Sequence, residues 1–137
     1  MEALKNLVRI NQLKLEPFDE VEFAGMLRAG DNKLNDASLK ELSEDSQFML
    51  AYGAAYTFSL AALRWHGYRA DSRYIVFQCL QHRLALDRVK CRILDQCHNA
   101  RNLAEYEGQL DVNSQLLNEL LNIAREVQGL VKELKLE

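Results

Sequence analysis

The stretch HNARNLAEYE, His98 to Glu107, places an imidazole, a guanidinium, an amide, a carboxylate and a phenol within three helical turns. At about 100° per residue, Asp95, His98, Asn102, Glu105 and Tyr106 fall on one side of a helix, with Arg92 and Arg101 at the margins of that strip. Val89, Ile93, Ala100, Leu103 and Ala104 fall on the other side, which predicts the core face. Such a polar strip has one inert reading and one chemical reading. In the first it is a solvated face carrying an Arg101–Glu105 ion pair four residues apart, as surface charges usually are. In the second, Arg101 and Asn102 hold a phosphate or ribose while His98 or Tyr106 assists proton transfer. Cleavage of RNA by its own 2′-hydroxyl needs a group to take that proton and a positive donor for the crowded phosphate, and it needs no metal. Histidine suits the proton task near neutral pH, whereas an unperturbed tyrosine, with a pKa near 10, is a poor base.

Other constellations are weaker. Cys91, Asp95 and His98 occupy neighbouring helical positions but match no standard ligand spacing, so no metal site is expected. His66, beside Trp65, and His82 read as structural or exposed histidines. There is no glycine-rich phosphate loop, nucleophile elbow or paired-cysteine zinc knuckle. Cys79, Cys91 and Cys97 are an odd count, best read as free, buried thiols rather than a disulfide scaffold.

The elements that must position the strip read as helices. A chain of 137 residues with 48% apolar residues, six glycines and one proline has the composition of one helical domain. We expect residues 1–137 to form that single domain, with residues 1–16 an N-terminal arm or short helix. Asp19 and Glu22 have capping-box spacing before Phe23, Met26 and Leu27. Gly30, Asp31 and a second capping box at Ser38 and Glu41 suggest a broken helix or two short ones before residue 45. Gln47 to Gly67 is the most apolar segment and rich in small residues, a central helix that neighbours can approach closely. A helix from Arg73 to about Leu84 is expected next. Asp87 caps another, running to about Tyr106, and Asp111 opens the last, whose Leu116 to Leu134 carry a wide apolar stripe. No segment alternates as strands do. The fold class expected is all-α, an up-and-down bundle of about five helices.

The formal net charge of -3 gives no global attraction to nucleic acid or to an anionic membrane, so any RNA contact needs a local basic patch. No window is apolar enough to span a bilayer, and a cytoplasmic location is expected.

LDRVKCRILDQCHNARNLAEYEG, Leu86 to Gly108, preceded by AALRWHGYRADSRYIVFQCLQHRL, resembles the HEPN superfamily of helical domains, in particular its small stand-alone branch. The likeness covers roughly residues 45 to 130. It implies a four-helix core, a homodimer with the arginine motifs facing a shared cleft, no cofactor, and metal-independent RNase activity in active members, often toxins of toxin–antitoxin or defence systems. A nucleotidyltransferase-like or antitoxin protein is the partner it implies. The family's motif is an arginine followed after four to six residues by histidine. Here Arg101 and Asn102 stand where it begins and Tyr106 takes the histidine position. Arg92 and His98 satisfy the spacing in another register, but about 120° apart around the helix. The tyrosine directs the reading toward a module that binds RNA, a nucleotide or a partner protein, with weak or no nuclease activity. The alternatives are an active endoribonuclease using Arg101, Asn102 and His98 or Tyr106, and a structural helical adaptor.

Overall fold

The computed structural model describes residues 13–70, 72, 73, 75–77, 79, 84, 86–108 and 112–134. The chain folds as an all-α, up-and-down bundle of about five helices. Four are bounded here: α1 (Glu20–Ala37), α2 (Glu44–Trp65), α3 (Arg88–Glu107) and α4 (Ser114–Leu134). Arg73, Ile75, Val76, Phe77 and Cys79 are also helical. The suggested helix before Leu13 and the suggested end of the helix near Leu84 lie at least partly outside the described residues.

Local chemistry sets the boundaries. Asp19 accepts from the amides of Val21 and Glu22 and starts α1. Ser43 caps α2, and Asp87 caps α3 by accepting from Lys90 N. Each side chain satisfies an amide that the first turn leaves without a helical acceptor. Gly108 ends α3 in the left-handed region at φ 70°, where a Cβ would be strained. The last helix starts later than expected. Asn113 Oδ1 accepts from Leu116 N and opens α4, while Asp111 lies outside the described residues.

The segment before residue 45 is not broken. α1 is continuous through Gly30 and Asp31, and Ser38 is its C-cap rather than the start of another helix. Gly30 has a packing reason to be glycine: a Cβ there would come within 2.7 Å of the Phe58 ring. Its absence lets α1 settle against the middle of α2, which outweighs the propensity lost in a helix interior.

α2 lies at the centre, with α1 and α4 packed against it and α3 leaning on α4 and α2. Phe48, Ala51, Ala54, Ala55, Phe58 and Ala61 are fully buried. The small side chains admit neighbouring backbones and the phenylalanines fill the volume between them. The stripe of α4 meets this core through Leu120, Ala124, Val127 and Val131.

Two short strands were not anticipated. β1 (Leu13–Leu15) pairs antiparallel with β2 (Tyr68–Ala70), in the register Leu13↔Ala70 and Leu15↔Tyr68. Three residues are too few for alternation to show in a sequence. This clasp closes over a smaller cluster of Leu13, Leu63, Tyr68, Ile75, Val76 and Cys79. Arg64, 2% exposed, fastens it. Its Nε donates to Glu22 Oε1 at 2.6 Å, its Nη1 to the carbonyls of Glu16 and Tyr68 at 3.1 and 3.2 Å, and its Nη2 to the carbonyl of Pro17 at 2.7 Å. Arg69 completes the network at 2.6 Å from both Glu16 and Glu22.

Candidate functional site

α3 is rotated from its expected setting. Leu94 and Cys97 are its buried residues, while Val89 is 58% and Leu103 48% exposed. On a helical projection the core direction lies about a quarter turn from the predicted one. The correction has a chemical consequence. The strip that would have faced away from the bundle lies instead along its seam, and His98 and Arg101 reach α2.

There the imidazole is held from several sides. Tyr52 Oη lies 3.0 Å from His98 Nδ1, and the Asn102 amide nitrogen donates to His98 Nε2 at 3.1 Å. With Nε2 accepting, the ring is the neutral tautomer whose Nδ1–H donates to the Tyr52 hydroxyl, an assignment that follows from the Asn102 amide orientation. The Tyr52 ring lies roughly parallel to the imidazole at 6.4 Å, and Phe77 meets it edge-on at 6.5 Å. Burial, and secondarily the Arg101 charge, hold the His98 pKa below its ordinary value, so the ring is neutral at pH 7. Burial pushes the Tyr52 phenol up to about 12, against the opposing pull of Arg101, so this hydroxyl stays protonated.

The Arg101 guanidinium stacks over the Tyr52 ring, 5.5 Å from its centroid, and pairs with Glu105 at 3.1 Å. Arg73 stands over the Tyr56 ring at 5.0 Å. Together Tyr56, Ser72, Arg73, His98, Arg101, Asn102, Glu105 and Tyr106 line an open pocket of about 360 Å3. A guanidinium set on an aromatic face keeps its in-plane N–H groups available for hydrogen bonds. The arrangement suits an anion flanked by hydrogen-bonding groups. This is a local concentration of positive charge in a chain whose net charge is -3.

The structure thus gathers His98, Arg101, Asn102, Glu105 and Tyr106 on one opening. Tyr106 is 81% exposed and forms the rim. Arg92 is exposed on another side of α3 and does not line the pocket. Cys91, Asp95 and His98 do not converge: among the described residues no group of three or more His, Cys, Asp or Glu side chains is placed to hold a metal. His66 caps the end of α2 through its backbone, and His82 lies outside the described residues. Among the described residues Cys79, Cys91 and Cys97 form no disulfide, and burial raises the Cys97 thiol to about 12, leaving it unreactive. No described helix is long and apolar enough to cross a membrane.

Sequence reasoning missed three members. Tyr52 and Tyr56 lie in the apolar central helix, away from the polar strip, and Arg73 enters only as the start of the next helix. The two tyrosines offered a signal: a phenol in an otherwise apolar helix must find a partner for its hydroxyl when buried. Arg73 is brought in by the turn after β2, which no helical projection could reveal. No family model matches this chain, and neither a curated protein nor a solved structure matches it significantly.

Proposed function

We propose that this chain is a HEPN-like, homodimeric helical module that binds RNA, a nucleotide or a partner protein through the Arg101 pocket, with weak or no nuclease activity. One observation carries the reading: Arg73 and Arg101 flank an opening that also presents His98 and Asn102. Guanidiniums beside a neutral imidazole and an amide can hold a phosphate and its sugar without a metal. The geometry supports weak or absent cleavage. The basic nitrogen of His98 is already engaged by Asn102, and Tyr106 stands at the solvent rim rather than against the ring. Val89 and Leu103, apolar and exposed on the outer side of α3, are the side chains a second copy would cover.

The endoribonuclease reading is favoured by His98 itself, a neutral imidazole in a cationic pocket. If Asn102 swings aside, Nε2 can take the 2′-hydroxyl proton. The 2′-oxygen then attacks the adjacent phosphorus, and the 5′-oxygen of the next nucleotide leaves and receives a proton, giving a cyclic phosphate.

The test is incubation of the purified protein with mixed tRNA and mRNA in EDTA, with binding measured in parallel, alongside Arg101→Ala and His98→Ala. We expect binding that Arg101→Ala weakens by about tenfold or more, and little cleavage. Cutting in EDTA that Arg101→Ala and His98→Ala both abolish would establish the nuclease instead. Unchanged binding in Arg101→Ala would sink both and leave the adaptor. A monomeric mass by light scattering would remove the homodimer.

A further inference from the structure

We infer that the site is the end of a longer channel, in which Lys33 of α1 receives a second phosphate of a single-stranded RNA whose first phosphate sits at Arg73 and Arg101. The inference rests on the reading above. A second opening of about 290 Å3 lies beside the first, lined by Lys33, Met49, Gly53, Tyr56, Arg73 and Arg101 among others. The two share Tyr56, Arg73 and Arg101, so they adjoin at those side chains.

The channel floor is one face of α2. Met49, Gly53, Tyr56 and Thr57 recur at the spacing of a single helical stripe, with α1 on one side and α3 on the other. Gly53 keeps the floor low: a Cβ there would lie 3.4 Å from Lys33 Cδ. The Lys33 ammonium donates to Thr57 Oγ1 at 3.2 Å, which holds the cation over the floor. Among the described residues neither Lys33 nor Arg73 has a carboxylate partner. Three cations therefore border the channel, with Glu105 paired to one of them.

The order of surfaces selects the ligand. Lys33 and Arg101 sit on helices either side of α2, and a helix with its side chains is about 10 Å across. A strand laid across α2 would meet the two cations in turn, one at each side of the face. Met49, Leu50, Tyr52 and Tyr56 line the same opening and offer a nucleotide's base and sugar an apolar surface that a polyphosphate chain would not use. Cation, apolar surface, cation is the alternation of a nucleic acid strand. Among strands, the open and unpaired form fits a channel floored by one helix face, and the Asn102 amide beside Arg101 supplies a partner for a 2′-hydroxyl.

Fluorescence anisotropy with a labelled oligouridylate of about eight nucleotides tests this across a salt series, with ATP as an unlabelled competitor. For Lys33→Gln we expect about fivefold to tenfold weaker binding at low salt, a salt dependence reduced by about 0.7 in log–log slope, and unchanged competition by ATP. Lys33→Arg should restore both affinity and slope. Circular dichroism and melting of each variant separate misfolding from lost contact. Wild-type-like binding by a folded Lys33→Gln, while Arg101→Ala weakens it, would overturn the channel and keep the Arg101 pocket. An equal loss of ATP competition in Lys33→Gln would overturn the strand in favour of a polyphosphate. No binding by the unmodified protein would remove channel and pocket together.

Discussion

Arg64 on the central helix and Arg101 against it are the same residue type, yet they are in opposite electrostatic conditions. Arg64 is 2% exposed, with its donors directed to one carboxylate and three backbone carbonyls, and Glu16 is a further counter-charge at 3.4 Å. Arg101 has one carboxylate partner, itself half exposed, and an aromatic face. A guanidinium saturated from within has nothing left for a ligand. One held in place but incompletely hydrogen-bonded keeps donors for a ligand and loses little when that ligand departs. The comparison separates a structural arginine from a binding arginine by the bonds each still has to make, a distinction that exposure alone would blur because Arg101 is only 13% exposed.

The largest expected effect breaks the saturated side. Arg64→Ala removes the cation and leaves Glu22 and several carbonyls without their donor, so we expect a loss of about 3–5 kcal/mol in urea unfolding. Arg64→Met, which replaces the volume, tests how much of that loss is uncompensated polarity. If Arg64→Ala unfolds at the wild-type midpoint, the clasp contributes nothing and the contrast fails. The same network sets an acid limit. Arg64, through its hydrogen bond, holds the Glu22 carboxyl below 4.5. A depressed folded pKa means the stabilisation is fully present above the unfolded value near 4.5 and is lost as pH falls through the folded one. Melting temperature should therefore fall below about pH 4.5, and less steeply in Glu22→Gln.

Arg101→Ala should do the reverse. Its one ion pair ends on a half-exposed carboxylate, so the stability loss should stay below about 1 kcal/mol. Its loss of RNA affinity should be about tenfold or more, as expected for a charge-assisted phosphate contact. A variant that unfolds and binds in parallel with Arg64→Ala would show that the two arginines do not differ in kind.

How much of this contrast was visible beforehand depends on how far each interaction reaches along the chain. Asp19, Asp87 and Gly108 act on amides and dihedrals within a few residues, and the start of α1 and both ends of α3 could be read from them. The stripe of α4 was likewise legible, because Leu120, Ala124, Val127 and Val131 all face one way. α3 was not, since its apolar residues are divided between two faces: Leu94 and Cys97 point inward, while Val89 and Leu103 are left outside. A helix with that division has no single apolar direction to project. Arg64 was missed for another reason. Its partners at Glu16, Pro17 and Glu22 are more than forty positions away, so a buried charge in an apolar helix gives a question but no answer.

Tyr52→Phe sharpens the comparison at smaller scale. It removes the hydroxyl 3.0 Å from His98 Nδ1 and leaves that ring nitrogen without the phenol, which should cost about 1–2 kcal/mol of stability. Because Arg101 still has its aromatic face, binding should fall far less than in Arg101→Ala. The His98 ring resonances in an NMR titration would report the change directly. Unaltered resonances would mean that Tyr52 does not hold the imidazole.

The smallest effect is the most diagnostic. Among the described residues Glu105 is the one carboxylate bonded to Arg101, and it competes with any anion for the same guanidinium. Glu105→Gln keeps the shape and a hydrogen-bond acceptor while removing the charge. An exposed pair of this kind is worth roughly 0.2–1 kcal/mol, so RNA affinity should rise by about twofold to fivefold at low salt. The gain should shrink as salt is added, since screening weakens the carboxylate's repulsion of phosphate. Weaker binding in this variant would mean that Glu105 positions Arg101 for the ligand rather than competing with it. Arg101 would then resemble Arg64, a cation set by its carboxylate, and the number of unmade bonds would no longer separate the two sites.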